Sequence, residues 1–207
     1  MKICLNNYQK NQFTSRTQYY YENFIVPDLL KQGLYKNINE IPKIECLHVH
    51  MGLKESVLNE KNLGIGMFIL SQLTSQKANP TFSKQSIAQF KLRQGMPLGV
   101  KTTLRGKNIY FFLDRFISHI LPNIKDFSGL INCVITKEGN LSLGFPDVFV
   151  FPEIENHYDN IAPLLKNKSD SSTTYGFQLI FKINSKDNLE TNQILSSFLM
   201  PLNKSWF

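Results

Sequence analysis

The chain has 207 residues, of which 42% are hydrophobic and 12% aromatic, with 16 Phe. That is enough for a real core and excludes a chain disordered throughout. The formal charge of +7 points to a polyanionic partner. The longest apolar run, Leu63 to Leu70, falls far short of the roughly 20 residues a membrane-spanning helix needs, so no membrane is expected.

Residues 1–17 are polar and read as irregular. A helix is expected over 18–36, with Phe24, Leu29 and Leu30 among its apolar positions and Pro27 at its start or at a break. Over 43–51, Leu47, Val49 and Met51 alternate with Cys46, His48 and His50, the mark of a half-buried strand. A helix follows over 56–75, carried by Leu63, Met67, Leu70 and Leu73. Residues 76–83 read as a turn, and two strands are expected at 86–93 and 98–105 in a hairpin-like pair. A second long helix over 107–121 should end at Pro122, with Ile109, Phe112, Phe116 and Ile120 as one buried stripe.

Residues 123–140 read as loop, 141–151 as a strand broken near Pro146, 155–172 as loop and 175–183 as a strand. A last helix over 186–198 opens on Asp187 and Glu190, spaced as a capping box. Hairpins mixed with helices predict an α+β fold: an antiparallel or mixed β-sheet with helices packed on one face and an open face for a ligand. Residues 1–19 are expected to be an N-terminal extension and 20–207 a single domain.

No signature of an enzyme stands out. The three cysteines, Cys4, Cys46 and Cys133, are too few and too scattered for a disulfide framework or a zinc knuckle. Cys46, His48 and His50 would share one strand face, but a fourth ligand and turn-like spacing are missing, so no metal and no cofactor are expected. Glycine-rich nucleophile elbows and phosphate loops are absent around the cysteines and around Gly64 and Gly66. A thiol or metal enzyme is the weaker alternative.

Charge distribution says more than net charge. No Asp or Glu lies between Glu60 and Asp114, and the interval holds Lys61, Lys77, Lys84, Lys91, Arg93, Lys101, Arg105 and Lys107. Such a region forms a local positive field suited to a phosphate backbone. Within it, Lys101, Thr103 and Arg105 should share one strand face, and Phe90 is an aromatic able to stack on a base. Composition alone leaves this face open between an RNA footprint and a solvated charged strand. There are 19 Lys, 20 Asn, 4 Arg and 3 Ala, a bias of AT-rich codons. It suggests an organellar gene, mitochondrial rather than plastid.

The run Phe90-Lys91-Leu92-Arg93-Gln94-Gly95-Met96-Pro97-Leu98-Gly99-Val100-Lys101-Thr102-Thr103-Leu104-Arg105-Gly106 resembles the signature of the bacterial-type large-subunit ribosomal protein five family, called eleven in eukaryotic cytosolic naming. Met51-Gly52, Ser75-Gln76-Lys77, Asp126-Phe127-Ser128-Gly129, Gly144 with Phe151-Pro152-Glu153-Ile154, and Phe198 with Pro201 match further family motifs in the same order, over about residues 20–201. The resemblance implies a structural, non-catalytic protein that grips 5S rRNA in the central protuberance among large-subunit rRNA and neighbouring large-subunit proteins. It implies contact with the small-subunit head protein thirteen, and weak contact with P-site tRNA through a loop at about Pro80 to Ser86. By position, His50, Gln76, Phe90 and Thr103 would face 5S rRNA. The family carries Asn at the position of His50, Arg at that of Ser128 and Glu at that of Asp147. A non-ribosomal RNA-binding factor on the same fold is the runner-up.

Overall fold

A computed structural model describes residues 14–32, 35, 37–53, 56, 60–125, 127, 129–130, 133–136, 138–157, 175–185 and 187–202. The helices are α1 (Arg16–Tyr20), α2 (Val26–Lys31), α3 (Glu60–Thr74), α4 (Lys107–Arg115), α5 (Leu121–Asn123), α6 (Pro152–Glu155) and α7 (Asn188–Ser197). The strands are β1 (Lys43–Gly52), β2 (Asn79–Phe82), β3 (Pro97–Arg105), β4 (Cys133–Ile135), β5 (Leu141–Phe145) and β6 (Phe177–Asn184). They form an open six-stranded sheet in the order β2-β3-β1-β6-β5-β4. This is the α+β architecture the sequence predicts. Among the described residues no helix is long and apolar enough to cross a membrane.

The chain divides into two compact units, and several strands contribute residues to both. The first comprises 1–46, 105–141 and 181–207. Its core holds the predicted stripe: Ile109, Phe112, Phe116 and Ile120 are all buried, with Ile25, Leu29, Phe181, Ile194 and Phe198. Phe112 and Phe116 stack at 6.1 Å, and Tyr21 stacks on Phe198 at 5.8 Å. α1 is capped by Ser15, whose hydroxyl accepts from the Gln18 N–H at 3.1 Å. The Thr17 hydroxyl then donates to the Tyr110 carbonyl at 2.8 Å, and Arg16 pairs with Asp114 at 2.7 Å. The helix therefore begins inside the stretch that reads from sequence as irregular.

Pro27 stands second in α2, at the start of that segment as expected, and the helix expected to end at Pro122 runs one residue further, to Asn123. Tyr21–Ile25 and Phe116–Ile120 are π-turns, and Pro27 and Pro122 each stand two residues beyond one. In each case the residue before the proline donates five residues back, Val26 to Tyr21 and Leu121 to Phe116. A proline in a regular helix clashes with the carbonyl four residues back and leaves it without a donor. The widened turn displaces that carbonyl, so helical geometry continues through both prolines.

The second unit comprises 47–104 and 142–180. α3 buries Ile65, Ile69, Leu70 and Leu73, and the sheet contributes Leu47, Val49, Met51, Val100, Leu104 and Leu179. Phe177 stacks on Phe145 at 5.0 Å and meets Phe151 at 4.9 Å. Gly99 is buried in β3, where any Cβ would collide with the Met51 carbonyl oxygen. At Gly66 an added Cβ would meet the Leu53 side chain, which, unlike a backbone oxygen, can shift.

Other expectations change. The turn expected at 76–83 contains β2, which pairs antiparallel with β3: Asn79 faces Lys101, Thr81 faces Gly99 and Phe82 faces Pro97. Pro80 is admissible because β2 is the outermost strand. The strand expected at 86–93 is not one, and the partner of β3 is β2 instead. Loop 123–140 contains β4, while the strand over 141–151 ends at Phe145, beside the break expected near Pro146. Asp187 does stand at the start of α7, but its side chain makes no capping bond. The loop expected at 155–172 lies mostly outside the described residues.

Candidate nucleic-acid interface

From Val100 onward β3 alternates. Val100, Thr102 and Leu104 are buried, while Lys101 and Arg105 are exposed and Thr103 is half-buried. Lys101 and Thr103 thus stand on the uncovered side, and Arg105 continues their register at the end of the strand.

β1 contributes from beside β3. Cys46 is buried and belongs to the core, while His48 and His50 are half-buried. His48 Nδ1 and the Thr103 hydroxyl are hydrogen-bonded at 3.0 Å. Burial lowers the His50 pKa below the ordinary histidine value, and the Lys101 charge lowers it further. His50 is thus a neutral imidazole near pH 7, able to donate one hydrogen bond and accept one. Among the described residues no group of three His, Cys, Asp or Glu is placed to hold a metal ion.

Gln76 and Lys77 are exposed just beyond α3, where Ser75 takes φ +52° to end the helix. Lys84, Phe90, Lys91 and Arg93 sit elsewhere again, on an excursion between β2 and β3. It is closed by its own bonds. The Ser83 N–H donates to the Met96 carbonyl at 2.8 Å, and the Gly95 N–H to the Ser83 carbonyl at 3.0 Å. Further out, Ile87 and Leu92 exchange backbone bonds at 3.0 and 3.1 Å. A 3₁₀ turn at Ala88–Phe90 forms the tip, which Lys91 closes at φ +55°. Phe90 is 69% exposed there. The four cations expected on a strand pair are therefore divided: Lys101 and Arg105 on β3, Lys91 and Arg93 on the excursion. Pro80 to Phe82, expected in a loop, belong to β2.

Sequence reasoning passes over two residues. His48 enters it only as part of a metal-like trio, and Phe82, 55% exposed on β2, is hidden in the supposed turn. Its place between Pro80 and Lys84, inside the acid-free interval, is the available signal.

Residues 37–93 match the family described as Ribosomal protein L5, and residues 97–202 match the ribosomal L5P family C-terminus. Large ribosomal subunit protein uL5m of Reclinomonas americana is 38% identical over 92% of this chain and 99% of its own length. Large ribosomal subunit protein uL5 of Macrococcus caseolyticus is 37% identical over 88% of this chain and 95% of its own. The protein of the same name from Fusobacterium nucleatum is 37% identical over 94% and 100%. The chain belongs to the uL5 family. Family membership makes this uL5 chain a structural constituent of the large ribosomal subunit.

Proposed function

We propose that this uL5 family member is built into the large subunit of an organellar ribosome, mitochondrial by its composition, and holds 5S rRNA in the central protuberance. One observation carries the reading: His50, Lys101 and Thr103 share the uncovered side of neighbouring strands, the last two within an interval free of Asp and Glu from Lys61 to Leu113. Lysine there neutralises phosphate, while neutral imidazole and hydroxyl groups bond to sugar or base edges.

His50 stands where the family has an amide. An imidazole cannot reproduce the paired donor and acceptor of Asn, so the contact at this position is a single bond or a stack. P-site tRNA is met weakly by the β2–β3 excursion, and the small-subunit head protein thirteen by another surface. Gln76 and Lys77 at the end of α3 extend the RNA footprint.

The test is crosslinking within purified organellar ribosomes, with the attached RNA sequenced. Crosslinks from Lys101 and Arg105 to 5S rRNA support the reading. Their exclusive appearance on another RNA, or recovery of the protein only in a ribosome-free pool, overturns it.

A further inference from the structure

Isolated exposed apolar residues are ordinary on protein surfaces. The excursion between β2 and β3 is different because of what accompanies them. Phe82 is 55% exposed at its root, Ile87 40% on its arm and Phe90 69% at its tip. Lys84, Lys91 and Arg93 are exposed on the same excursion. No carboxylate occurs anywhere in the surrounding sequence interval. Tyr19, Tyr20 and Phe24 are also exposed on the helical run around α1, but Glu22 and Asp28 stand among them. That second cluster lacks the positive field; the excursion has it. An aromatic on an outer strand also invites edge-to-edge association, a liability removed when the ring is covered by a ligand.

Phe82 pairs with Pro97 where the β2–β3 register shifts, and the next residue anchors the root in both directions, Ser83 to Met96 and Gly95 to Ser83. A ring at the root and another at the tip, with Lys84 between them and Lys91 and Arg93 after the tip, is an arrangement suited to single-stranded nucleic acid: the backbone follows the charges and bases lie on the rings.

We propose that Phe82 is a second base-stacking platform, and that the excursion takes unpaired nucleotides of an RNA rather than a duplex. This rests on the RNA-binding reading above and adds a residue and a ligand class to it. A paired helix keeps its bases stacked on one another, so exposed rings gain nothing from it.

The experiment uses the purified full chain and three labelled probes: a 12-nucleotide oligouridine, an abasic oligomer of the same length, and an RNA duplex. Phe82→Ala should weaken oligouridine binding about 5- to 150-fold, the range of one base–aromatic stack. Binding of the abasic oligomer and the duplex should not change. Phe82→Tyr should restore oligouridine binding; Phe82→Leu, apolar but without a π face, should not. These two variants decide the matter if the alanine variant folds poorly. Equal affinity of wild type and Phe82→Ala, or full activity of Phe82→Leu, overturns stacking. If the combined Lys84→Gln and Lys91→Gln variant still loses affinity on all three probes, the RNA-binding reading survives that failure. If wild type binds none of the probes, both fall.

Discussion

His48 and Thr103 are hydrogen-bonded across neighbouring strands at 3.0 Å, ring Nδ1 to hydroxyl. The bond fixes what Thr103 can offer a ligand. When His48 carries its proton on Nε2, Thr103 donates to the ring and is left as an acceptor. When Nδ1 carries the proton, the ring donates and the Thr103 hydroxyl proton is available to a phosphate. A double-mutant cycle of Thr103→Val and His48→Ala should give a coupling of about 0.5–1.5 kcal/mol in urea unfolding. Strict additivity would show that the bond contributes nothing.

His50 predicts a pH dependence. Burial and Lys101 depress its pKa in the folded state, so the unfolded chain binds more protons between the depressed value and the ordinary one. Stability must then rise with pH through that window. It is fully present above the ordinary histidine value, about 6.5, and is lost as pH falls towards the folded value. Melting temperature measured from pH 8 to pH 5 should fall less for His50→Asn than for wild type. Parallel curves for the two proteins would remove His50 as the cause.

Leu199 follows α7 at φ +60° and is 74% exposed. The Met200 N–H donates to the Leu195 carbonyl at 3.1 Å and the Leu199 N–H to the Ser196 carbonyl at 2.9 Å. This is a helix stop that normally uses glycine. A leucine held there costs about 1 kcal/mol or more. Leu199→Gly should raise the urea midpoint by an amount corresponding to about 1 kcal/mol, with an unchanged slope. A lower midpoint would show that the Leu199 side chain stabilises the fold through its own packing.

Gly99 makes the opposite prediction. A methyl group there meets the backbone oxygen of Met51, which cannot rotate away as a side chain would. Gly99→Ala should destabilise by about 1–3 kcal/mol, the range of overpacked core positions. An unaffected urea midpoint would show that β1 and β3 can separate at that point without cost.

These cases mark what the sequence conveys. The stripe of Ile109, Phe112, Phe116 and Ile120 is legible because helical periodicity records burial directly, and all four are buried. Pro27 and Pro122 mark the start and the end of helical segments as a local rule says, but that rule carries no information on the π-turns preceding them. β2 is invisible because its sequence, Asn79-Pro80-Thr81-Phe82, contains turn formers whose strand conformation depends on pairing with β3. The opposite error puts a strand at 86–93, where the chain folds on itself between Ile87 and Leu92. The polar side of β3 is readable from alternation alone. The burial of Cys46 is not, because alternation names a face and not what covers it.

The roles of charge and stacking on this surface can be separated by salt. Arg105 is an exposed cation at the end of β3, so its contribution to RNA binding should come from displacing counterions from phosphate. Arg105→Gln should weaken binding to RNAs of different sequence by similar factors. It should also make the slope of log K against log salt shallower by roughly 0.7–0.9, the effect of one phosphate no longer neutralised. Phe90, exposed at the tip of the excursion, releases no counterions when it stacks. Phe90→Ala should cost about 1–3 kcal/mol at every salt concentration and leave the slope as it was. Titrations of the full chain with its cognate RNA at several salt concentrations read both quantities at once. If Phe90→Ala flattens the slope while Arg105→Gln leaves it alone, the two roles are reversed. If neither substitution changes affinity, these residues lie outside the RNA footprint, and the surface built on β3 and its excursion serves another purpose.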